Sequence, residues 1–276
     1  MAEKEPHQMG KLFFVGPLAV STPQPVYNAF LPNWIKTYPK NSSKTILWIS
    51  IFPKKTYLPI KKMETKGRCI YCDKLYSGRG LSRHLATHLK AEPAAGKKKS
   101  YHLVVDAKPY FLHLLMDGDS SLHELDGFLR AIWLECCGHM SEFGYERWSE
   151  AIKPNTKCSK AFDKGTWLWY AYDFGSTTEL IIRCVGVYPT ATEDGIKLLS
   201  RNEPLDIKCD HCKKELATEL CTAHYGEGEE MFFCDDCAEL HEEECEEAEY
   251  AMYGVYNSPR MGVCAYEGGQ IDTERD

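Results

Sequence analysis

The sequence predicts an α+β protein: a central domain with a mostly antiparallel sheet and packed helices, flanked by two small units organised around Cys and His side chains. Three observations carry this reading. Strand-like runs rich in aromatic and β-branched residues stand on both sides of one amphipathic helix, with no repeated βα unit. The 13 cysteines fall largely in close pairs inside short polar segments, which is ligand spacing more than core spacing. Hydrophobic residues make up 43% of the 276-residue chain and charged residues 26%, enough to build a core and to exclude a wholly disordered protein.

The opening stretch, residues 1–62, reads as an irregular leader. Pro17, Pro23, Pro25, Pro32 and Pro39 interrupt it, and its apolar pieces (Leu12 to Val15, Ile46 to Phe52) are short. Lys11-Leu12-Phe13-Phe14-Val15 has the look of an export signal, but Pro17 cuts the apolar run and no small-x-small cleavage site follows. Organised sequence begins just after Met63, which makes that residue an alternative start. No apolar run approaches the ~20 residues of a membrane-spanning helix. The thiol-rich remainder suits a reducing compartment, cytoplasmic or nuclear.

Residues 66–90 contain Cys69-x2-Cys72-x11-His84-x3-His88. Two thiols on a turn and two imidazoles one helical turn apart match the demand of tetrahedral zinc. Tyr76 and Leu81 stand where a small ββα unit needs its core side chains. The segment resembles the two-Cys-two-His zinc finger, with one residue fewer between the pairs than the usual count of about 12. That resemblance makes Cys69, Cys72, His84 and His88 the metal ligands, and it places the base-reading positions near Ser77, Gly80 and Arg83, of which two offer little to a base. Residues 91–100, with Pro93, Gly96 and Lys97-Lys98-Lys99, read as a flexible basic linker.

Charge is split along the chain. Residues 1–100 carry 18 basic and 5 acidic residues, while residues 101–276 carry 15 and 35, for a net −7. A basic front favours polyanions and an acidic tail repels them. Arg79, Arg83, Lys97, Lys98 and Lys99, with Arg68 and Lys90 beside them, are therefore the candidate nucleic-acid contacts, through phosphates and without sequence reading. A solvated basic face accounts for the same residues equally well.

The central domain spans residues 101–200. Tyr101 to Val105 and Tyr110 to Leu115 read as strands joined at Lys108-Pro109. Ser121-x-x-Glu124 is a capping box, and Leu122, Leu125, Phe128, Leu129, Ile132, Trp133 and Cys136 follow at helical spacing until Gly138. Trp167 to Tyr172 and Leu180 to Val187 read as strands connected through Asp173-Phe174-Gly175. Trp133, Trp167, Trp169, Tyr170 and Tyr172 belong to the core and sheet faces, although an exposed aromatic sheet would also stack on bases.

The acidic segment 205–266 holds the strongest signal: Cys209-x2-Cys212-x8-Cys221-x2-His224-x9-Cys234-x2-Cys237-x3-His241-x3-Cys245. So short and polar a stretch cannot bury enough apolar area to fold alone, and metal binding supplies the missing free energy. One reading is a single four-Cys ribbon built on the 209/212 and 234/237 pairs, with the other four residues at the surface; disulfides are the remaining alternative, and x2 spacings argue for metal over them. The pairing also resembles cross-braced two-zinc modules such as the B-box and the MYND finger. That resemblance implies one zinc on Cys209, Cys212, Cys234 and Cys237, and a second on Cys221, His224, His241 and Cys245. His211, between two ligands, is expected to face solvent. Residues 267–276 form a tail.

The strings Ser121-Leu122-His123-Glu124-Leu125-Asp126, Ile132 to His139 and Tyr172-Asp173-Phe174-Gly175 with Glu179, followed by Asn257-Ser258-Pro259-Arg260-Met261-Gly262-Val263-Cys264, resemble the Ri-plasmid ORF-three-like family, also labelled insertion-element passenger of TnpR type. Ser176, Thr178 and Leu180 stand where better-known members have Asp, Trp and His. The resemblance covers roughly residues 101–266 and implies an α+β domain in a family without an assigned activity; no recombinase-like set of nucleophile and arginines accompanies it.

Asp173 and Glu179 are the candidate acid–base pair for a hydrolase or transferase, and Cys136, Cys137 and His139 the candidate nucleophile and base. Plainer roles account for each: Asp173 suits a turn, Cys136 an apolar helix face, and Cys137 and His139 a helix C-terminus. As a metal site this trio lacks a fourth ligand. The expectation is a noncatalytic binding or adaptor protein with three closed structural zinc ions and a basic finger that contacts nucleic acid weakly; the alternative is a protein–protein interaction module whose zinc is purely structural.

Overall fold

Hydrophobic alternation, ligand spacing and a few long-range contacts together produce the architecture seen in the computed structural model, which describes residues 63–192, 194–223 and 231–276, without the side chain of Arg79. The leader 1–62, the Arg79 side chain and His224 lie outside the described residues. The class is α+β, built on one six-stranded antiparallel sheet.

The chain first forms a hairpin, β1 (Lys66–Arg68) with β2 (Leu75–Ser77), and then helix α1 (Gly78–Ala91). Gly67 pairs opposite Tyr76. Asp73, at φ 58, closes the knuckle between the strands by donating its N–H to Cys69 O at 2.9 Å. Along α1, Leu81, Leu85 and Leu89 repeat every fourth residue and are fully buried.

The sheet follows. Strands β3 (Ser100–Ala107) and β4 (Tyr110–Asp117) form a hairpin in which Val105 faces Leu112. Helix α2 (Leu122–Leu129) starts at the capping box, with the Ser121 and Glu124 side chains each bonding the other's backbone N–H. Then come β5 (Ser141–Gly144), the short helix α3 (Cys158–Ala161), β6 (Trp167–Tyr172), β7 (Thr178–Tyr188) and β8 (Ile196–Arg201). Their order across the sheet is β5-β6-β7-β3-β4-β8.

Both faces of the middle of the sheet are covered. Tyr110, Leu112, Leu114 and Met116 pack with Leu122, Leu125, Leu129, Ile132 and Trp133 on one side. Phe111 and Leu115 point the other way, onto Leu81, Leu85 and Leu89 of α1, with Tyr188 and Leu199. This explains why β4 is apolar at nearly every position instead of alternating: a strand buried on two faces needs no polar side. Of the five aromatic residues named above, Trp133, Tyr170 and Tyr172 are buried in this core and Trp169 is buried beside it, while Trp167 is half-buried.

The finger is thus part of the domain. Ile70 donates to Leu199 O at 3.1 Å, Glu203 to Lys66 O at 2.8 Å, and Gly67 bridges to Asn202. Residues 91–100, expected as a flexible linker, are fixed as well. Ala95 N–H bonds Pro189 O at 2.8 Å, Gly118 N–H bonds Lys99 O at 2.8 Å, and Glu92 accepts from Tyr71 Oη at 2.6 Å and from Thr190 Oγ1 at 3.0 Å.

The amphipathic helix ends earlier than its periodicity suggests. After Leu129 it widens into a π-helical turn, Arg130–Leu134, and Glu135 is extended. The carbonyls that would continue it are taken from far along the chain: Ala131 O accepts from Gln270 N–H at 2.6 Å and Trp133 O from Ser258 Oγ at 2.7 Å. Cys136 therefore lies past the helix and not on its apolar face.

The C-terminal module contains strands β9 (Glu219–Cys221) and β10 (Phe232–Phe233), helices α4 (Asp235–Glu244) and α5 (Ala248–Ala251), and strand β11 (Met252–Gly254). Its small sheet runs β10-β9-β11. The segment after it returns to the central domain: buried Arg201 reaches Asn257 O at 2.7 Å, Asp276 at 2.6 Å and Asp272 at 3.2 Å. Among the described residues no helix is long and apolar enough to cross a membrane.

Candidate metal centres

A tetrahedral zinc ion with Zn–S near 2.3 Å and Zn–N near 2.0–2.1 Å sets its ligand atoms about 3.8 Å apart for two sulfurs, about 3.6 Å for sulfur and nitrogen, and about 3.3 Å for two nitrogens. Ligand sets can be judged against those edges. Four groups of Cys and His side chains gather their ligand atoms within 4.8 Å of one another and can hold metal ions. All 13 cysteines are free thiols.

In the finger, Cys72 Sγ lies 3.2 Å from His84 Nε2, which lies 3.2 Å from His88 Nε2; buried Cys69 completes the set. Aromatic rings hold both imidazoles, with Tyr76 stacked on His84 at 4.0 Å and Tyr71 on His88 at 4.9 Å. Burial lowers the His84 pKa, which favours the neutral ligand form. Ser77 stands at the N-cap position of α1 without a side-chain capping bond, and Gly80 and Arg83 are exposed beyond it, as are Lys90 and Lys97 to Lys99.

The second group is Cys209, Cys212, Cys234 and Cys237. It repeats the knuckle of the finger: Lys213 takes φ 57 and donates to Cys209 O at 3.0 Å, and Cys212 N–H points at Cys209 Sγ at 3.5 Å. Cys234 is the N-cap of α4 and Cys237 sits in its first turn; Cys212 and Cys234 sulfurs are 3.9 Å apart. Backbone N–H groups of Glu215 and Lys214 lower the Cys212 thiol to about 6, toward the thiolate that metals bind. His211 is exposed.

The third group joins Cys221 on β9 to His241 and Cys245 at the end of α4, with Phe233 stacked on His241 at 4.3 Å. The first close pair shares a site with the third, and Cys221 of the second pair meets the fourth. His224 lies outside the described residues. These three residues converge instead of scattering over the surface, unlike the arrangement of a single four-Cys ribbon.

The fourth group is one that sequence reasoning left incomplete. Cys136, Cys137 and His139 are joined by Cys264, more than 120 residues later. The only available signal was a cysteine closing the Asn257 to Cys264 string, with nothing in its spacing to link it to Cys136.

Asp173 and Glu179 are each engaged by a different arginine. Asp173 takes φ 63, accepts from Gly175 N–H at 2.9 Å and ion-pairs with buried Arg260 at 2.6 Å, which helps hold its carboxyl below the usual range. Glu179 is bound by Arg147, with Nε 2.8 Å from Oε1, and by Trp169 Nε1 at 3.3 Å. Two surface hollows, one lined by Arg68, Cys69 and Leu199 and the other by Tyr145, Lys164 and Trp167, contain neither carboxylate.

No protein-family model and no curated protein matches the chain. Among solved structures, a protein of unknown function from Methanosarcina mazei Go1 aligns at 18% identity and a TM-score of 0.29 over 35% of this chain and 64% of its own, so the match spans just under two thirds of that protein. A likeness this slight says nothing about function.

Proposed function

We propose that this protein is a noncatalytic, multi-zinc binding or adaptor protein whose basic finger contacts nucleic acid through phosphates. The observation that supports it most is the convergence of paired Cys and His side chains, with the ligand atoms of each group within 4.8 Å of one another. Cys69, Cys72, His84 and His88 hold one ion, and Cys209, Cys212, Cys234 and Cys237 a second. Cys221, His241 and Cys245, completed by His224, hold a third. With every position filled by protein, such sites have no place for an activated water; the ion supplies folding free energy to segments too small to fold alone. The resemblance to the Ri-plasmid ORF-three-like family is part of this proposal.

The docked finger fixes what it can do. One face of α1 is spent on the sheet; Arg83 and Lys90 are exposed on the helix, and Lys97, Lys98 and Lys99 are exposed on the segment that follows it. These are exposed positive charges with Arg83 alone at a base-reading position, which favours weak, salt-dependent binding. An electrophoretic shift with random DNA or RNA tests it. Arg83→Glu together with Lys97→Glu is expected to weaken the shift strongly and flatten its salt dependence; an unchanged shift removes the nucleic-acid half of the proposal. The alternative, a pure protein-interaction module, draws on exposed Leu240 and Tyr250 amid the acidic residues of α4 and α5. Salt-insensitive capture of a defined protein, without polyanion binding, would favour it.

A further inference from the structure

We propose that Cys136, Cys137, His139 and Cys264 bind a fourth zinc ion, which clasps the C-terminal segment onto the central sheet. Three thiols and one imidazole are a Cys3His ligand set. Cys137 Sγ is 3.9 Å from Cys136 Sγ, 3.4 Å from Cys264 Sγ and 2.9 Å from His139 Nε2, and His139 Nε2 is 3.4 Å from Cys264 Sγ. These values fall around the edges of one tetrahedral ion, and the sulfur separations are far too long for an S–S bond of about 2.05 Å.

The surroundings are those of a ligand site. His139 turns Nε2 to the sulfurs and Nδ1 toward Asp173, whose Oδ1 is 3.6 Å away. At that distance the carboxylate is an ion-pair neighbour that helps orient the ring, in the place where metal-bound imidazoles commonly have a carboxylate behind them. Asp173 is itself held by Arg260, fully buried, which also reaches Ser176 O at 2.6 Å and lies 3.6 Å from Cys136 Sγ. Gly138, at φ 77, lets the chain reverse between Cys137 and His139, and its N–H is tied to Glu135 Oε1 at 2.6 Å. Asp173, the former candidate for catalysis, thereby becomes a positioning residue.

Contrast with the other cysteines points the same way. The two that belong to no group, Cys158 and Cys184, are buried in the core at 0% and 1% exposure, as small apolar side chains should be. Cys137 and Cys264 are exposed, so packing does not account for them. The ion would join three separated stretches: the end of the π-helical turn, the β6–β7 connection through Asp173, and the string from Asn257 to Cys264.

The test is alkylation of the full-length, zinc-loaded protein with iodoacetamide, read cysteine by cysteine by mass spectrometry with and without chelator. Cys137 and Cys264, although exposed, are expected to resist labelling until the chelator is added. Cys264→Ser is expected to lower the ion count by one and leave the finger and four-Cys ligands protected. Asp173→Asn is expected to weaken this ion alone by about 10–100-fold in competition with a chromophoric chelator. Rapid labelling of Cys137 and Cys264 at the same rate with and without chelator, while the other groups stay protected, would overturn the clasp and leave the proposed function standing. Labelling of every group in the zinc-loaded protein would overturn both. The wild-type labelling pattern decides the matter even where a variant fails to fold.

Discussion

Replacing Gly67 by Ala asks whether the finger is fastened to the sheet or only tethered near it, because the two arrangements give opposite signs. An added Cβ would lie 2.6 Å from Ser200 Oγ, 2.8 Å from Arg201 O and 2.9 Å from Phe111 Cε2. Two of those neighbours are a backbone carbonyl and a ring wedged under α1, neither free to move away. Overpacking of this kind costs about 1–3 kcal/mol. In a finger standing free of the sheet those atoms would be absent, and Gly→Ala in ordinary strand conformation would stabilise by about 0.4–1 kcal/mol through the unfolded chain. Urea unfolding of the zinc-loaded protein, with the ion count checked by native mass spectrometry, measures the difference. We expect a lower midpoint at unchanged ion count. A midpoint that is unchanged or raised would refute the docked arrangement.

Two further predictions concern buried charge. His102 and His113 are buried side by side, Nε2 to Nδ1 at 2.9 Å, and burial lowers both, His102 to about 4 and His113 well below its ordinary value. The unfolded chain protonates them near pH 6.5 while the folded one does not, so stability is full above that pH and falls as pH drops toward 4, by about 1.4 kcal/mol per histidine at pH 5.5. The pH 7.0 to 5.5 loss in urea midpoint should shrink in the double variant His102→Gln/His113→Gln; an equal loss in both proteins would contradict the assignment. Arg201 is fully buried against Asp272 and Asp276, so Arg201→Met should cost about 3–5 kcal/mol and speed proteolysis within residues 265–276; unchanged cleavage would show that this arginine does not anchor the segment.

What could be read from the sequence was local. The Cys-x2-Cys knuckles, the Ser121–Glu124 box and the strands around Val105, Leu112, Trp169 and Ile182 each declare themselves within a few residues. The rest depends on partners distant in the chain. Strands β5 and β8 are short and partly polar, and they form by pairing with β6 and β4. The helix stops at Leu134 because Ser258 and Gln270 occupy its carbonyls. The docking of α1 left one visible mark, the run from Tyr110 to Met116, apolar at every position but His113, which a one-sided strand would not need. Cys264 closed a recognisable string but carried nothing that linked it to Cys137 until the fold set the two sulfurs 3.4 Å apart.

The most direct measurement is native mass spectrometry of the intact chain before and after chelation, paired with near-UV circular dichroism. The account predicts four zinc ions, three in the paired Cys/His modules and one in the clasp, with tertiary signal lost as they are removed. A chain that carries no ion and keeps its near-UV spectrum unchanged by chelator would contradict it.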